Sequence, residues 1–278
     1  MNSVAGSAFW NVTFVPMLDR RLPHWARRSN PVVRRHLGIH WKILPLESGL
    51  LARIILAQTA LLALSVLLPL LLPLIFTLLP VAFVLLPATF ALYARLLLRV
   101  GFFTVELVVE EQRDNTLTLL RTTPMSLRQI LYSKAAAGVW RQVEDLGLII
   151  MAASLLTLPV IGVLYARYWP FEDHSLASRV VLLLGLLSAL LRLMLEPLMV
   201  AALALATGAL VPVRVHANLA LGGQIFFYFL LINMPRLLEL SAPWRIALEL
   251  LLPLALPALI ALVALQVAQR LLTRDRAT

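Results

Sequence analysis

The chain has 278 residues, of which 61% are hydrophobic and 14% charged, with a formal net charge of +10 and no cysteine. Soluble globular chains carry roughly 25% charged residues, so this composition calls for a bilayer as solvent, and the missing thiols exclude a disulfide framework, a cysteine nucleophile and a cysteine metal site. The arginines lie beside apolar segments instead of forming one basic domain, which directs the positive charge to anionic lipid headgroups and away from nucleic acid.

In chain order, residues 1–29 read as a cytoplasmic tail in which the basic pairs Arg20-Arg21 and Arg27-Arg28 are interleaved with Trp10, Leu22 and Trp25. Met1 to Leu18 lacks a basic head and a compact apolar stretch, so no cleaved signal peptide is expected. Asn11-Val12-Thr13 has the pattern of a glycosylation acceptor but falls on the side expected to be cytoplasmic, and reads as plain polar tail. Asn30 can cap a helix with Pro31 at its first position, followed by Val33, Leu37 and Trp41 on one face and Arg34 and Arg35 on another. The segment 30–48 is therefore predicted to be an amphipathic helix lying at the membrane interface.

Residues 49–278 are predicted to be a six-span transmembrane domain, all-α. No charged residue occurs from Ile54 to Ala94, and a helix of about 40 residues would measure ~60 Å against a hydrocarbon core of ~30 Å. The run must fold back once. Pro69 and Pro73 mark the turn, giving spans over 50–70 and 74–98, with Pro80 and Pro87 expected to kink the second. Further spans are predicted over 146–165, 180–210, 217–232 and 252–271. Between the last two, residues 235–251 mix Arg236, Glu239, Arg245 and Glu249 with apolar residues and Pro243, which suits short helices dipping into the external interface.

Orientation follows from the basic residues of the short loops. The N-terminal arm, the segment 95–141 with Arg99, Arg113, Arg121, Arg128 and Lys134, and the C-terminal Arg270, Arg274 and Arg276 are all rich in them, whereas the turns near Leu72, Glu172 and Glu239 are poor. Both termini are expected to be cytoplasmic in a multi-pass protein of the cell membrane.

The familiar catalytic signatures are missing: there is no G-x-x-x-x-G-K-[ST] loop to cradle phosphates, no H-E-x-x-H and no G-x-S-x-G. No catalytic residues are expected, and the chain cannot be its own ATP motor. His36 and His40 have the i, i+4 spacing of metal ligands, but with no cysteine and no fixed third ligand they read as one face of the interfacial helix, and no metal site is expected. Arg192 and Glu196 lie near the middle of the fourth span, one helical turn apart, so they can pair while facing away from lipid. Such a pair either serves function or fixes helix packing, and the spacing fits both.

The most informative segment is 110–134, between spans two and three. It runs from a charged helix end, Glu110-Glu111-Gln112-Arg113, through a Leu-rich stretch to Thr123-Pro124, where the proline breaks one helix and suits the first turn of the next. An elbow with a capped restart is expected there. This segment resembles that of ABC type-2 transporter permeases, matching at Glu111, Arg113, Thr116, Leu117, Leu119, Leu120, Thr123, Pro124, Ser126, Ile130 and Lys134 and departing at Asn115, where glycine is usual. The six-span order, the helix opened by Asn30-Pro31 and the last external segment extend the resemblance to most of the chain.

The resemblance implies a transmembrane subunit of an exporter, paired with a second permease subunit, identical or related. The motor would be a separate ABC ATPase that binds ATP and Mg; no cofactor is implied for this chain. The elbow would act as a coupling helix docking on that ATPase. The competing expectation is a non-transporting scaffold or anchoring subunit of a larger membrane complex, which needs apolar helices but no force-transmitting elbow. A secondary transporter would show paired broken helices and an inverted repeat, and none is evident between the two halves.

Overall fold

In the computed structural model, residues 22–38, 48–114, 116, 125–166 and 175–274 are described, and among them the protein is all-helical, with no strand. After a 3-10 turn at His24–Ala26 come α1 (Pro31–Leu37), α2 (Ser48–Leu67), a 3-10 turn at Pro69–Leu71, α3 (Leu72–Phe76), α4 (Leu79–Arg113), α5 (Leu127–Trp140), α6 (Val143–Ala166), α7 (Ser175–Leu210) and α8 (Arg214–Asn233). A 3-10 turn at Met234–Leu237 leads into α9 (Ala242–Arg274). Six of these, α2, α4, α6, α7, α8 and α9, are long and apolar enough to cross a bilayer. The architecture fits a multi-pass membrane protein.

Helix α1 starts where the sequence places it: the Asn30 side chain accepts from Val32 N at 2.9 Å, and Pro31 occupies the first turn. It is shorter than the expected 30–48, because Gly38 adopts φ 54 and closes the helix after two turns; residues 39–47 lie outside the described ones. Its apolar face is covered by protein. Val33 and Leu37 pack with Ala26 against Ala136 and Ala137 of α5, and Trp140 Nε1 donates to Ala26 O at 2.8 Å.

The turn between the first two spans falls at 68–78, where Pro69 and Pro73 break the helical ladder as expected. Pro80 does not kink the second span. It sits in the first turn of α4, where no N–H is needed, and among the two expected kink sites only Pro87 is internal. Helix α4 also continues past the expected end at residue 98 to Arg113, about 52 Å in all. The extension is held by burial: Val100, Val105 and Val108 are fully covered by neighbouring helices, and Arg99 and Glu106 find partners in Asp145 at 3.6 Å and Arg214 at 2.7 Å.

The last span differs too. Instead of short interfacial helices over 235–251, the chain makes one 3-10 turn and enters α9 at Ala242, with Pro243 in its first turn and Pro253 and Pro257 inside it. Contact with α7 overrides the prolines' cost: Ile246 is buried, and Ser188 Oγ donates to Leu250 O at 2.7 Å.

Helix α7 is the hub, touching α2, α4, α5, α6, α8 and α9. Its face of Met199, Val200, Ala201, Ala204 and Leu205 is completely buried. Small residues let its neighbours close in. A Cβ on Gly208 would stand 3.2 Å from Val108 Cβ and 3.3 Å from Val105 O, so α4 and α7 approach backbone to side chain there.

Candidate functional site

Among the described residues, two ion pairs with a buried carboxylate interrupt the apolar bundle. The first is in the middle of α7. Arg192 and Glu196 form the expected i, i+4 pair, with Nε and Oε1 2.6 Å apart, the Glu196 side chain wholly buried and that of Arg192 22% exposed. What the spacing of these two residues alone could not reveal is their company. Tyr228 of α8 donates its hydroxyl to the same Glu196 oxygen at 2.6 Å, and Tyr93 of α4 donates to Leu193 O at 3.3 Å. The Leu193 carbonyl is available because Pro197, four residues on, has no N–H to offer it. Phe229 lies 5.9 Å from the Arg192 guanidinium carbon, a loose cation–π contact.

Of these, Tyr93, Arg192, Leu193 and Glu196 line a half-open cavity of about 530 Å³ between α4, α6, α7, α9 and the end of α8. Its wall is mostly apolar, broken by Arg192, Glu196 and Glu249 and carrying the rings of Phe90, Tyr93 and Tyr165. Glu249 is answered by Arg245 of the same helix at 3.7 Å. Glu196 Oε2, by contrast, is buried with no hydrogen-bond partner among the described residues. A carboxylate can accept about four hydrogen bonds, and this one receives its two on a single oxygen.

The second assembly ties down the segment that carries the sequence motif. Glu111, in the last turn of α4, is 6% exposed and forms an ion pair with Lys134 of α5, which is 0% exposed. Lys134 Nζ also donates to Leu107 O at 3.3 Å, and His36 Nε2 of α1 stands 3.8 Å from Glu111 Oε1. Burial, then the charges of Lys134 and Arg35, lower the His36 pKa from its ordinary 6.5 to about 4, leaving the imidazole neutral at physiological pH. Burial and the Arg35 guanidinium likewise hold the Lys134 ammonium below the usual lysine range. Arg35, His36, Glu110, Glu111, Asp114 and Thr116 border a small polar recess of about 220 Å³ beside this pair.

Of the motif residues, the structure therefore brings Glu111, Lys134 and Ile130 into the protein interior, while Arg113 is exposed and Thr116 half-buried. Leu117, Leu119, Leu120, Thr123 and Pro124 lie outside the described residues. The capped restart falls at Ser126: its Oγ accepts from Gln129 N at 3.3 Å while Gln129 Oε1 accepts from Ser126 N at 3.2 Å, a reciprocal capping box that opens α5. His40 is also outside the described residues, and among those described no group of His, Asp and Glu is arranged to hold a metal ion.

Tyr93 and Tyr228 are the site residues that sequence reasoning missed. Intramembrane tyrosines are too common to single out, and only the packing of three helices selects these two. The burial of Lys134 had a signal that went unused. It precedes Ala135-Ala136-Ala137-Gly138, a run of small residues that suits close helix packing. Comparison of the chain with models of protein families, with characterised proteins and with solved structures finds no match.

Proposed function

We propose that the chain is the transmembrane permease subunit of an ATP-binding-cassette exporter, with both termini and the segment 110–134 in the cytoplasm. The observation that carries this reading is the mounting of that segment. Glu111 at its start is clamped by Lys134 at its end, on α5, and neighboured by His36 of α1, and Ser126 between them begins α5 with a capping box. A segment whose start is held by a buried ion pair and whose later part opens a capped helix is suited to passing force from a docked motor into the α4, α5 and α7 core. A mere anchor has no use for such a clamp.

In this reading a separate ABC ATPase, which binds ATP and Mg, docks on the segment through Leu117 and Leu120, with the exposed Arg113 setting orientation and Glu111, held inside by Lys134, fixing the segment to the bundle. Apolar anchors supply most of the energy of such contacts. Helix α1 lies at the cytoplasmic interface, with Arg34 and Arg35 toward headgroups. A second permease subunit would face α8. Gln224 is exposed near the middle of that span, Gly222 and Gly223 beside it have open space, and its amide nitrogen has no protein acceptor among the described residues. An amide donor turned toward hydrocarbon is costly, and a neighbouring helix can supply the acceptor.

The test is capture of the tagged chain from its native membrane, asking whether a protein with a phosphate-binding loop and ATP hydrolysis copurifies. Leu117→Ala/Leu120→Ala should lower copurification and stimulated hydrolysis, about 1 to 3 kcal/mol of docking per anchor, without altering insertion. Unchanged capture and hydrolysis in the double variant would remove the segment as the coupling site and favour the scaffold alternative.

A further inference from the structure

We propose that the cavity between α4, α6, α7 and α9 is a binding site for a lipophilic ammonium, an apolar body carrying a cationic N–H head. Three independent features of the wall converge on this chemistry. Glu196 is fully buried, lines the cavity, and keeps Oε2 without a hydrogen-bond partner among the described residues although Oε1 takes both Arg192 and Tyr228. A buried acceptor left unpaired is unfavourable, and a donor held in the cavity beside Glu196 can supply the missing bond. The rings of Phe90, Tyr93 and Tyr165 line the same space, and aromatic faces attract a desolvated cation. The balance of charge agrees: Arg192 is answered by Glu196 and Arg245 by Glu249, so the wall presents no net positive charge to repel an ammonium.

The remaining lining is apolar, with Leu86, Ile149 and Leu252 representative of it, and at about 530 Å³ the space takes a chain or ring system of drug size together with its head. A carboxylate head is disfavoured, because it would bring a third acceptor against the already under-donated Glu196. A quaternary ammonium satisfies the rings but cannot donate to Oε2. The head group that satisfies both is one that retains N–H. The proposal depends on the chain lying in a bilayer and not on an ATPase partner, so the experiment contains none, and its failure leaves the exporter reading to be judged by its own test.

The protein is reconstituted in phosphatidylcholine nanodiscs, and saturable retention of radiolabelled decylamine is measured against that of decyltrimethylammonium and decanoate. Retention of decylamine should saturate at one per chain and exceed that of the other two about tenfold, with Glu196→Gln reducing it by a similar factor. Ala189→Phe places a bulky ring in the cavity while keeping Arg192, Glu196 and Glu249, and should abolish it, which decides the matter where Glu196→Gln fails to insert. Adding phosphatidylethanolamine to the nanodiscs distinguishes sources: competition identifies a lipid headgroup as the ammonium, and its absence a free amine. Retention of decylamine that does not saturate, that survives Ala189→Phe, or that is matched by decanoate or decyltrimethylammonium overturns the proposal.

Discussion

Tyr228 and Glu196, 32 residues apart on different helices, meet in a hydrogen bond of 2.6 Å inside the bundle. The hydroxyl donates to the oxygen that already holds Arg192, so one carboxylate joins α7 to α8 and anchors the arginine beside the cavity. Tyr228→Phe deletes only that donor. It should lower stability by about 1.5 to 3 kcal/mol, the range for hydrogen bonds to charged groups, read as a fall in melting temperature of the purified protein. A shift indistinguishable from that of an exposed Phe226→Leu control would mean that the bond contributes nothing.

The ion pair itself calls for a double-mutant cycle. Arg192→Leu alone leaves a buried carboxylate without its cation and should cost about 3 to 5 kcal/mol, and Glu196→Leu strands the arginine in turn. Removing both together should cost much less than the sum of the two. Additive losses in the yield of folded protein would show that the two charges are not coupled.

His36 gives the protein an acid-sensitive stability. Its pKa is about 4 in the fold against 6.5 when exposed, so between those values the unfolded chain binds a proton that the native one does not. Stability from this group is full above pH 6.5 and is lost as the pH falls toward 4, by about 1 to 3 kcal/mol. Lys134, Arg35 and Glu111 are the charges that face it. In His36→Gln the drop in melting temperature from pH 7 to pH 4.5 should be smaller than in the native protein; an equal drop removes His36 from the account.

Helix approach can be probed at two glycines. Gly208→Val should destabilise the protein by about 1 to 3 kcal/mol, because the new methyls collide with Val108 and the Val105 carbonyl, neither of which can swing away. Gly223→Ala meets open space and should leave the melting temperature of the isolated subunit unchanged or slightly raised. The reverse order would contradict the packing of α4 on α7.

Topology is tested by cysteine scanning, which the cysteine-free chain makes clean. An impermeant maleimide applied to intact cells should label Glu172→Cys and spare Asn115→Cys and Arg276→Cys. Labelling of either of the latter two from outside overturns the orientation proposed above.

The primary structure by itself determined the number of helices long and apolar enough to cross a bilayer. Hydrocarbon leaves no alternative to internally bonded helices, so the runs of Leu, Ala and Val with breaks at Pro69 and Pro73 are legible without a structure. Local rules were equally plain at Asn30-Pro31, where cap and proline act within one turn, and at Arg192 and Glu196, where the 3.6-residue period alone brings two charges together. Helix ends were not legible. Pro80 and Pro243 proved to be first-turn residues, and α4 and α9 ran beyond their expected limits, because burial against α7 outweighs the local signals of charge and proline. The partners of Glu196 and of Glu111 were decided only by tertiary structure. Tyr228 and Lys134 reach those carboxylates from other helices, Tyr93 reaches the Leu193 carbonyl beside one of them, and which faces meet depends on the close approach of whole helices at small residues such as Gly208, a property of the packed bundle and of no single segment.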